Sequence, residues 1–600
     1  MAGAALAAGL FAVAMVSQIL RRAALSMDEL HTLLLGVSWA RGDVLPFYIG
    51  SVTRYEGGSW LLAWPVSWLL RLGASGTAAT TWTAGALSLL GVALGGYWVT
   101  RVRGLAAGAA LGLLLACVPE LVHYSYRAWG SIQEALFGLP LLALLYESWR
   151  SRGRGVAGAV GLGVVLTGCI ILSYVHMVTA LAFVAVHLLG ERERVRGALG
   201  EVAVVATASL ASFGAWVATM LPFWNEAGII RDGRPISSLL GAMLLPRVDR
   251  VVGSLPGAWV GQLLEPTPLR LGAGVVLSLL VLGGAVAGWR AEDERRRWPV
   301  VFLLCFLPAL SVGHALQGEP GVFRYYLPLF AVGMGLVALW DLRAVAVAVL
   351  CGLTFWLPKG LEMPYQNPAL NYLELGGNAM HRFHLDPHSK FVALREVVPE
   401  WYRPWFAFGY GVDSGQRFSR ARKGMRQTLS REGDPDVVWR GRPHFSLWPL
   451  EAWTGFWGEL EGDDERQFLL GMGMGFCADG VLDEREVELL DVLGEKRAVV
   501  LEGFGAAVSR GLEAGVVFDG WDAEVRTSLE VADYAAVGRG VGKVRAVEAG
   551  AAKGLGVPEG ARREALLAGQ EVEIDLSWRA MASVPLIATP EKLTDEERGE

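Results

Sequence analysis

The feature that most constrains this chain is a series of apolar runs over residues 1–358, broken only by short arginine clusters. About 20 apolar residues cross a bilayer as a helix, because lipid offers no partner to an unpaired backbone amide. Residues 359–600 are much more polar and hold most of the acidic residues. The contrast predicts a polytopic α-helical membrane domain over 1–358. A mainly α-helical soluble domain follows over 359–588, then a charged, disordered tail over 589–600. A chain that is 53% hydrophobic does not read as several soluble domains.

Short-loop charge sets the expected topology. Arg101/Arg103, Arg150/Arg152/Arg154, Arg192/Arg194/Arg196 and Arg290/Arg295/Arg296/Arg297 mark the cytoplasmic side. The short loops 120–127, 173–176 and 316–324 carry only Arg127 and Arg324 and face outward. The run 155–190 has cytoplasmic arginines at both ends, so it turns outside near Ser173–His176 and forms two helices. The path has eleven spans, at about 4–20, 77–100, 104–120, 128–148, two within 155–190, 198–222, 269–289, 298–315, 325–340 and 344–358. Long outer loops cover 21–76 and 223–268, the N-terminus is inside and the C-terminus outside. Arg21 and Arg22 depart from the charge rule. The first run has no basic residue before it and no small-residue cleavage site before Arg21, so it is expected to remain as a helix.

Net charge of −6 and the lack of a long basic stripe argue against a nucleic-acid partner. Four of the five cysteines lie in or beside apolar runs and read as small core residues. Cys477 is alone in the polar part, so no disulfide forms within it.

Chemistry points to Ser26–His31, directly after the first apolar run. Asp28 and Glu29 are adjacent carboxylates at a bilayer edge, where charge calls for a functional reading. Asp28 is positioned as a general base on an acceptor hydroxyl or amine; Glu29 can orient it or share a divalent metal. The competing reading is an acidic cap for the helix that follows, which has Leu30, Leu33, Leu34 and Val37 at helical spacing. His31 reads as a packing or capping residue. Residues 58–72, rich in Trp and Leu around Pro65, read as an interfacial helix pair. Glu120, His123, Tyr124 and Arg127 cluster on the next outer turn. Arg324 and Tyr325 begin the tenth span, where a cation suits a lipid phosphate.

The sequence of features is an apolar helix, an acidic pair, an amphipathic outer helix, Trp64-Pro65, a helix closing at Arg101-Val102-Arg103-Gly104, then Pro119–Ser125. Over roughly residues 5–345 this arrangement resembles the GT-C membrane glycosyltransferases, which include protein O-mannosyltransferases, aminoarabinose transferases and glycosyltransferase-39-like proteins. The resemblance implies sugar transfer from a polyprenyl-phosphate carrier to a lipid, glycan or protein acceptor on the outer face. It matches Asp28 to the catalytic acid, with Glu29 beside it, and Arg324 and Tyr325 stand where related transferases carry an Arg-Tyr motif; Glu120, His123 and Tyr124 are further candidate substrate contacts, with an interfacial cap as the competing reading. The Pro-Pro stretch common in such proteins is missing; only Pro46 and Pro65 stand there. A transporter or flippase and a noncatalytic envelope scaffold are the alternatives. No apolar run carries a mid-span charge and no inverted repeat is evident, which weighs against transport.

In the polar part, His381, His384 and His388 surround Asp386, but Pro387 breaks the helix that would gather them on zinc. Ala478–Glu484 lacks the alternating oxygen ligands of a calcium loop and reads as a turn and helix start. A glycine-aromatic theme recurs at Phe406–Gly411, Phe468–Gly473, Leu501–Gly505 and Tyr534–Gly538. It fits either a degenerate helical repeat or a plain helical domain with glycines at its contacts.

Overall fold

The computed structural model describes residues 1–19, 29, 32–33, 36–37, 39–40, 59–128, 131–172, 178–227, 248–260, 266–317, 326–356, 369, 372–373, 376, 391–392, 395–396, 398–415, 460–476, 484–513, 529–544, 557 and 560–574. Every regular element among them is helical. The chain forms two compact units, Met1–Tyr365 and Gln366–Glu600.

The first unit contains α1 (Ala2–Ile19), α2 (Ser59–Arg71), α3 (Gly76–Arg103), α4 (Leu105–Ala116), α5 (Pro119–Ser125), α6 (Leu139–Ser151), α7 (Val156–Leu172) and α8 (Val178–Gly190). It continues with α9 (Val195–Ala227), α10 (Val248–Val260), α11 (Pro268–Arg290), α12 (Trp298–Gln317), α13 (Leu327–Trp340) and α14 (Leu342–Phe355). Four described helical segments are long and apolar enough to cross a membrane: Ala2–Ile19, Gly76–Arg103, Arg192–Trp216 and Pro268–Arg290. Val156–Leu172, Ala180–Gly190, Leu327–Trp340 and Leu342–Phe355 are shorter apolar helices.

Side-chain size decides the packing of α1, α3 and α4. A Cβ on Gly112 of α4 would overlap the backbone of Ala7 on α1, and one on Gly108 would overlap the carbonyl of Gly96 on α3. Small residues thus let three backbones approach closely, as in lipid, where apolar surface alone does not drive association. Phe11, Met15, Leu111 and Leu114 fill the space around them. Leu6, Leu10 and Val13 of α1 point away, exposed.

Two departures from the expected spans shape the interior. The third expected span breaks: Cys117 closes α4, Val118 turns extended before Pro119, and α5 leaves at 87°. Proline disfavours helical backbone at the residue before it, which explains the break. The fourth expected span begins with the turn Ser131–Gln133 and a π-helical stretch Glu134–Gly138 before α6. Pro140 has no N–H for the carbonyl of Leu136, and the widened turn accommodates its ring. The run 155–190 does form two helices, α7 and α8. Residues 58–72 hold one helix with Pro65 inside it.

The second unit contains residues 403–415 (α15), α16 (Gly462–Phe476), α17 (Glu484–Leu493), α18 (Arg497–Glu513), α19 (Val531–Val544) and α20 (Ala561–Gly569). Its glycines interlock the helices in series. A Cβ on Gly411 would overlap the Phe468 carbonyl, and one on Gly471 the Phe408 carbonyl. The same reciprocal fit joins Gly473 with Val500 and Gly503 with Leu470. It recurs between Gly505 and Val537, Gly540 and Glu502, Gly538 and Leu566, and Gly569 and Ala535. Residues i and i+2 point roughly 200° apart on a helix. The pairs Gly471/Gly473, Gly503/Gly505 and Gly538/Gly540 therefore place one glycine against each neighbour. Gly411 meets Phe468 and Gly415 meets Met472, so α15 and α16 run parallel; Gly538 meets Leu566 of α20 and Gly542 meets Gln570 just after it, in the same order. Ion pairs accompany the stack, Arg497 with Asp533 and Lys543 with Glu502. The glycine-aromatic theme is thus a repeated helix-to-helix contact.

Candidate functional site

The described residues 29, 32–33, 36–37 and 39–40 are helical, and Glu29, Thr32, Leu33, Gly36 and Val37 are buried. These positions make one helical face. Leu33 sits under Gly76 at the start of α3, and Gly36 lies against Val66 of α2. Arg71 at the end of α2 donates to the Trp39 and Ala40 carbonyls, at 2.5 and 3.2 Å. Loss of free carbonyl partners at a helix end is what such a cation satisfies.

The buried face carries Glu29 and Thr32 inward. The Glu29 carboxylate lies 3.8 Å from Nη1 of Arg127. Thr32 Oγ1 donates to the Ala128 carbonyl at 2.9 Å. The turn they meet follows α5, whose Glu120, His123 and Tyr124 are all buried. His123 Nδ1 and the Tyr126 hydroxyl lie 3.1 Å apart. The turn is held from behind by Gln133, whose Nε2 donates to the carbonyls of Ser125 (3.3 Å) and Arg127 (3.0 Å). Ser88 of α3 donates to the Ser125 carbonyl at 2.7 Å. Gln18 at the end of α1 donates to the Pro119 carbonyl, at 3.4 Å. Ser88 is twelve residues into α3, about 18 Å from its start, so this polar cluster reaches well inside the unit.

The structure therefore links Glu29 to Arg127 and groups Glu120, His123 and Tyr124 on one short helix. Asp28, His31, His176, Arg324, Tyr325, His381, His384, Asp386 and His388 lie outside the described residues. Tyr326, next to Arg324 and Tyr325, bonds Ser254 through its hydroxyl at 2.7 Å and precedes α13. Sequence reasoning missed Gln18, Thr32, Ser88 and Gln133. Their signal is a polar side chain within an otherwise apolar run, which needs a partner when buried.

The arginine clusters meet at a second polar end, reached by the C-termini of α3, α6, α8 and α11. Arg101 and Arg295 both pair with Glu147, at 3.1 Å each. Arg150 bridges Glu191 and Glu294 at 2.8 Å each, and Arg154 pairs with Glu191 at 2.5 Å. Burial alone would raise the Glu191 pKa, but the hydrogen bond and charge of Arg154, with Arg150 and Arg194, hold it below the ordinary value. Asp293 is lowered in the same way by Arg295, against the opposing effect of burial.

No protein-family model, curated protein or solved structure matches the chain.

Proposed function

We propose that this protein is a membrane glycosyltransferase, moving a sugar from a polyprenyl-phosphate donor to an acceptor on the extracytoplasmic face. The observation that carries the reading is the buried Glu29 carboxylate beside Arg127, adjoining Asp28 in sequence. Asp28 takes the proton from an acceptor hydroxyl or amine as that atom forms a bond to the anomeric carbon. The carbon–oxygen bond to the carrier phosphate breaks, and the phosphate leaves with the electron pair. Glu29, fixed by Arg127, positions Asp28. Arg324 neutralises the leaving phosphate, with Tyr325, Glu120, His123 and Tyr124 lining the substrates. A divalent metal shared by Asp28 and Glu29 is compatible with this chemistry.

In this reading eleven spans cross the inner or plasma membrane, the arginine-rich end is cytoplasmic, and the second unit is a soluble extracytoplasmic domain. The joining of all four arginine clusters at one end supports that orientation. The test is sugar transfer from radiolabelled polyprenyl-phosphate hexoses and pentoses in membranes carrying the wild type or Asp28→Asn. Transfer by wild type and its loss in Asp28→Asn, at equal expression and melting temperature, is expected. Full transfer by Asp28→Asn overturns the assignment.

A further inference from the structure

Inside the first unit is a cavity of about 170 Å³, walled by α3, α4, the π-helical stretch, α6, α8, α12 and α13. Its lining is apolar and aromatic, with Trp98, Phe183, Trp298 and Phe302 among the walls. Gly335 contributes open space, for a Cβ there meets nothing within 4 Å.

Two guanidinium groups lie one turn beyond this cavity. Arg103 follows the wall residue Val99 by four positions, and Leu339 follows Gly335 by four, so each pair shares a helix face. Arg103 Nη1 and Arg296 Nη2 both donate to the Leu339 carbonyl, at 2.6 and 2.7 Å. Arg296 is two residues before Trp298, another wall residue. Neither arginine has an ion pair among the described residues. Nearby carboxylates are engaged elsewhere: Glu147 by Arg101 and Arg295, Asp293 by Arg295, and Asp341 by the Arg343 amide. Arg296 Nε is buried without a hydrogen-bond partner. Burial, and then the Arg103 charge, press the Arg296 pKa down, against the Asp293 carboxylate, which acts to raise it. Two like charges are thus held together on one carbonyl, one helical turn from the wall residues Val99 and Gly335, against the cost of their repulsion.

We propose that this chamber and the Arg103–Arg296 pair form a site for one anionic membrane phospholipid, with part of an acyl chain in the cavity and its phosphate on the two guanidiniums. Charge complementarity selects the occupant. A zwitterionic lipid offers the same chain but adds a cation beside the pair, and a free phosphate leaves the cavity unfilled. Basic pockets between membrane helices bind anionic headgroups on these grounds. The arginine pair is at the arginine-rich end, and the site does not depend on glycosyl transfer.

The experiment is thermal unfolding of the purified full chain in detergent, titrated with phosphatidylglycerol, with phosphatidylcholine of identical chains, and with inorganic phosphate. Native mass spectrometry counts retained lipid. The expected result is a saturable rise in melting temperature with phosphatidylglycerol at an affinity at least about tenfold above that for phosphatidylcholine, no rise with phosphate, and one retained lipid. Arg103→Gln/Arg296→Gln loses the preference for the anionic lipid. Gly335→Phe, which fills the chamber, weakens both lipids. Equal response to both lipids, an equal response to inorganic phosphate, or no retained lipid on the wild type overturns the proposal. So does an unchanged preference in the arginine double variant.

Discussion

Arg127 holds its guanidinium 3.8 Å from the carboxylate of Glu29, a contact between residues 98 positions apart at the centre of the candidate site. Glu29 is fully buried, whereas Arg127 keeps 12% of its side chain exposed. The pair therefore joins a carboxylate in the interior to a cation at the edge of solvent or headgroups. Glu29 and the turn after α5 are fixed to each other through it, with Thr32 and the Ala128 carbonyl as a second tie.

Removing Arg127 takes a cation from beside a buried carboxylate. Arg127→Ala is expected to cost about 1–3 kcal/mol, less than a tight buried ion pair, because the pair stands beyond hydrogen-bond distance. Glu29→Gln costs less, and Glu29→Gln in the Arg127→Ala background restores part of the loss. A double-mutant cycle in chemical denaturation measures the coupling. A coupling below about 0.5 kcal/mol means that the pair does not hold these elements together.

The glycine stack predicts an effect of unusual sign. Gly503 lies inside α18, where alanine by helix propensity alone is worth about 0.5–1 kcal/mol over glycine. A Cβ there would overlap the Leu470 backbone, which cannot rotate away as a side chain can. Gly503→Ala is therefore expected to destabilise the second unit by about 3 kcal/mol, the upper end for overpacking. Gly161→Ala, at an open helical position of α7, is the control and is expected to be neutral or stabilising. Limited proteolysis with mass readout distinguishes unit-specific loss from general unfolding.

These features differ in how legible they were. The arginine clusters could be grouped from sequence because charge bias is a local property, and the structure ties all four into one network. The orientation of 29–40 was not legible. Its apolar residues Leu30, Leu33, Leu34 and Val37 suggest one face, but the buried face takes in Glu29 and Thr32. Their partners are Arg127 and the Ala128 carbonyl, and no local pattern carries contacts of that sequence separation. Gln18, Ser88 and Gln133 were missed for the same reason. Pro119 and Pro140 stood in plain view, yet apolar continuity outweighed them, and the bend after α4 and the π-helical stretch before α6 went unforeseen. The glycine theme was visible as composition; which neighbour each glycine faces required the helices to be placed.

The network at the arginine-rich end predicts acid sensitivity. Glu191 has an ordinary pKa of 4.5, and its folded value is lower. A depressed carboxylate contributes its stabilisation fully above the unfolded pKa and loses it as pH falls through the folded one. The melting temperature is therefore expected to be insensitive to Glu191 from pH 7 to about 5 and to fall below about 4.5. Asp293, also depressed, acts in the same direction at lower pH. Glu191→Gln lowers stability at neutral pH by about 1.5–3 kcal/mol, the range for hydrogen bonds to charged groups, and flattens the acid limb. A variant that keeps the wild-type slope below pH 4.5 assigns that slope to other groups.

Topology gives the final prediction. Leu72 and Arg152 are both exposed, Leu72 just before the start of α3 and Arg152 within the arginine-rich end. The 28 residues of α3 extend about 42 Å, enough to hold its two ends on opposite sides of a bilayer. Twelve arginines near the same end outweigh the carboxylates that pair with them, and cytoplasmic loops carry that excess. In a background with the native cysteines replaced by alanine, Leu72→Cys is expected to react with a membrane-impermeant maleimide in intact cells. Arg152→Cys reacts only after permeabilisation. The reverse pattern would place the Glu29 cluster on the cytoplasmic side, where a lipid-linked donor displayed outside could not reach it, and would remove the basis for extracytoplasmic sugar transfer. Labelling of both sites in intact cells would instead remove α3 as a single crossing.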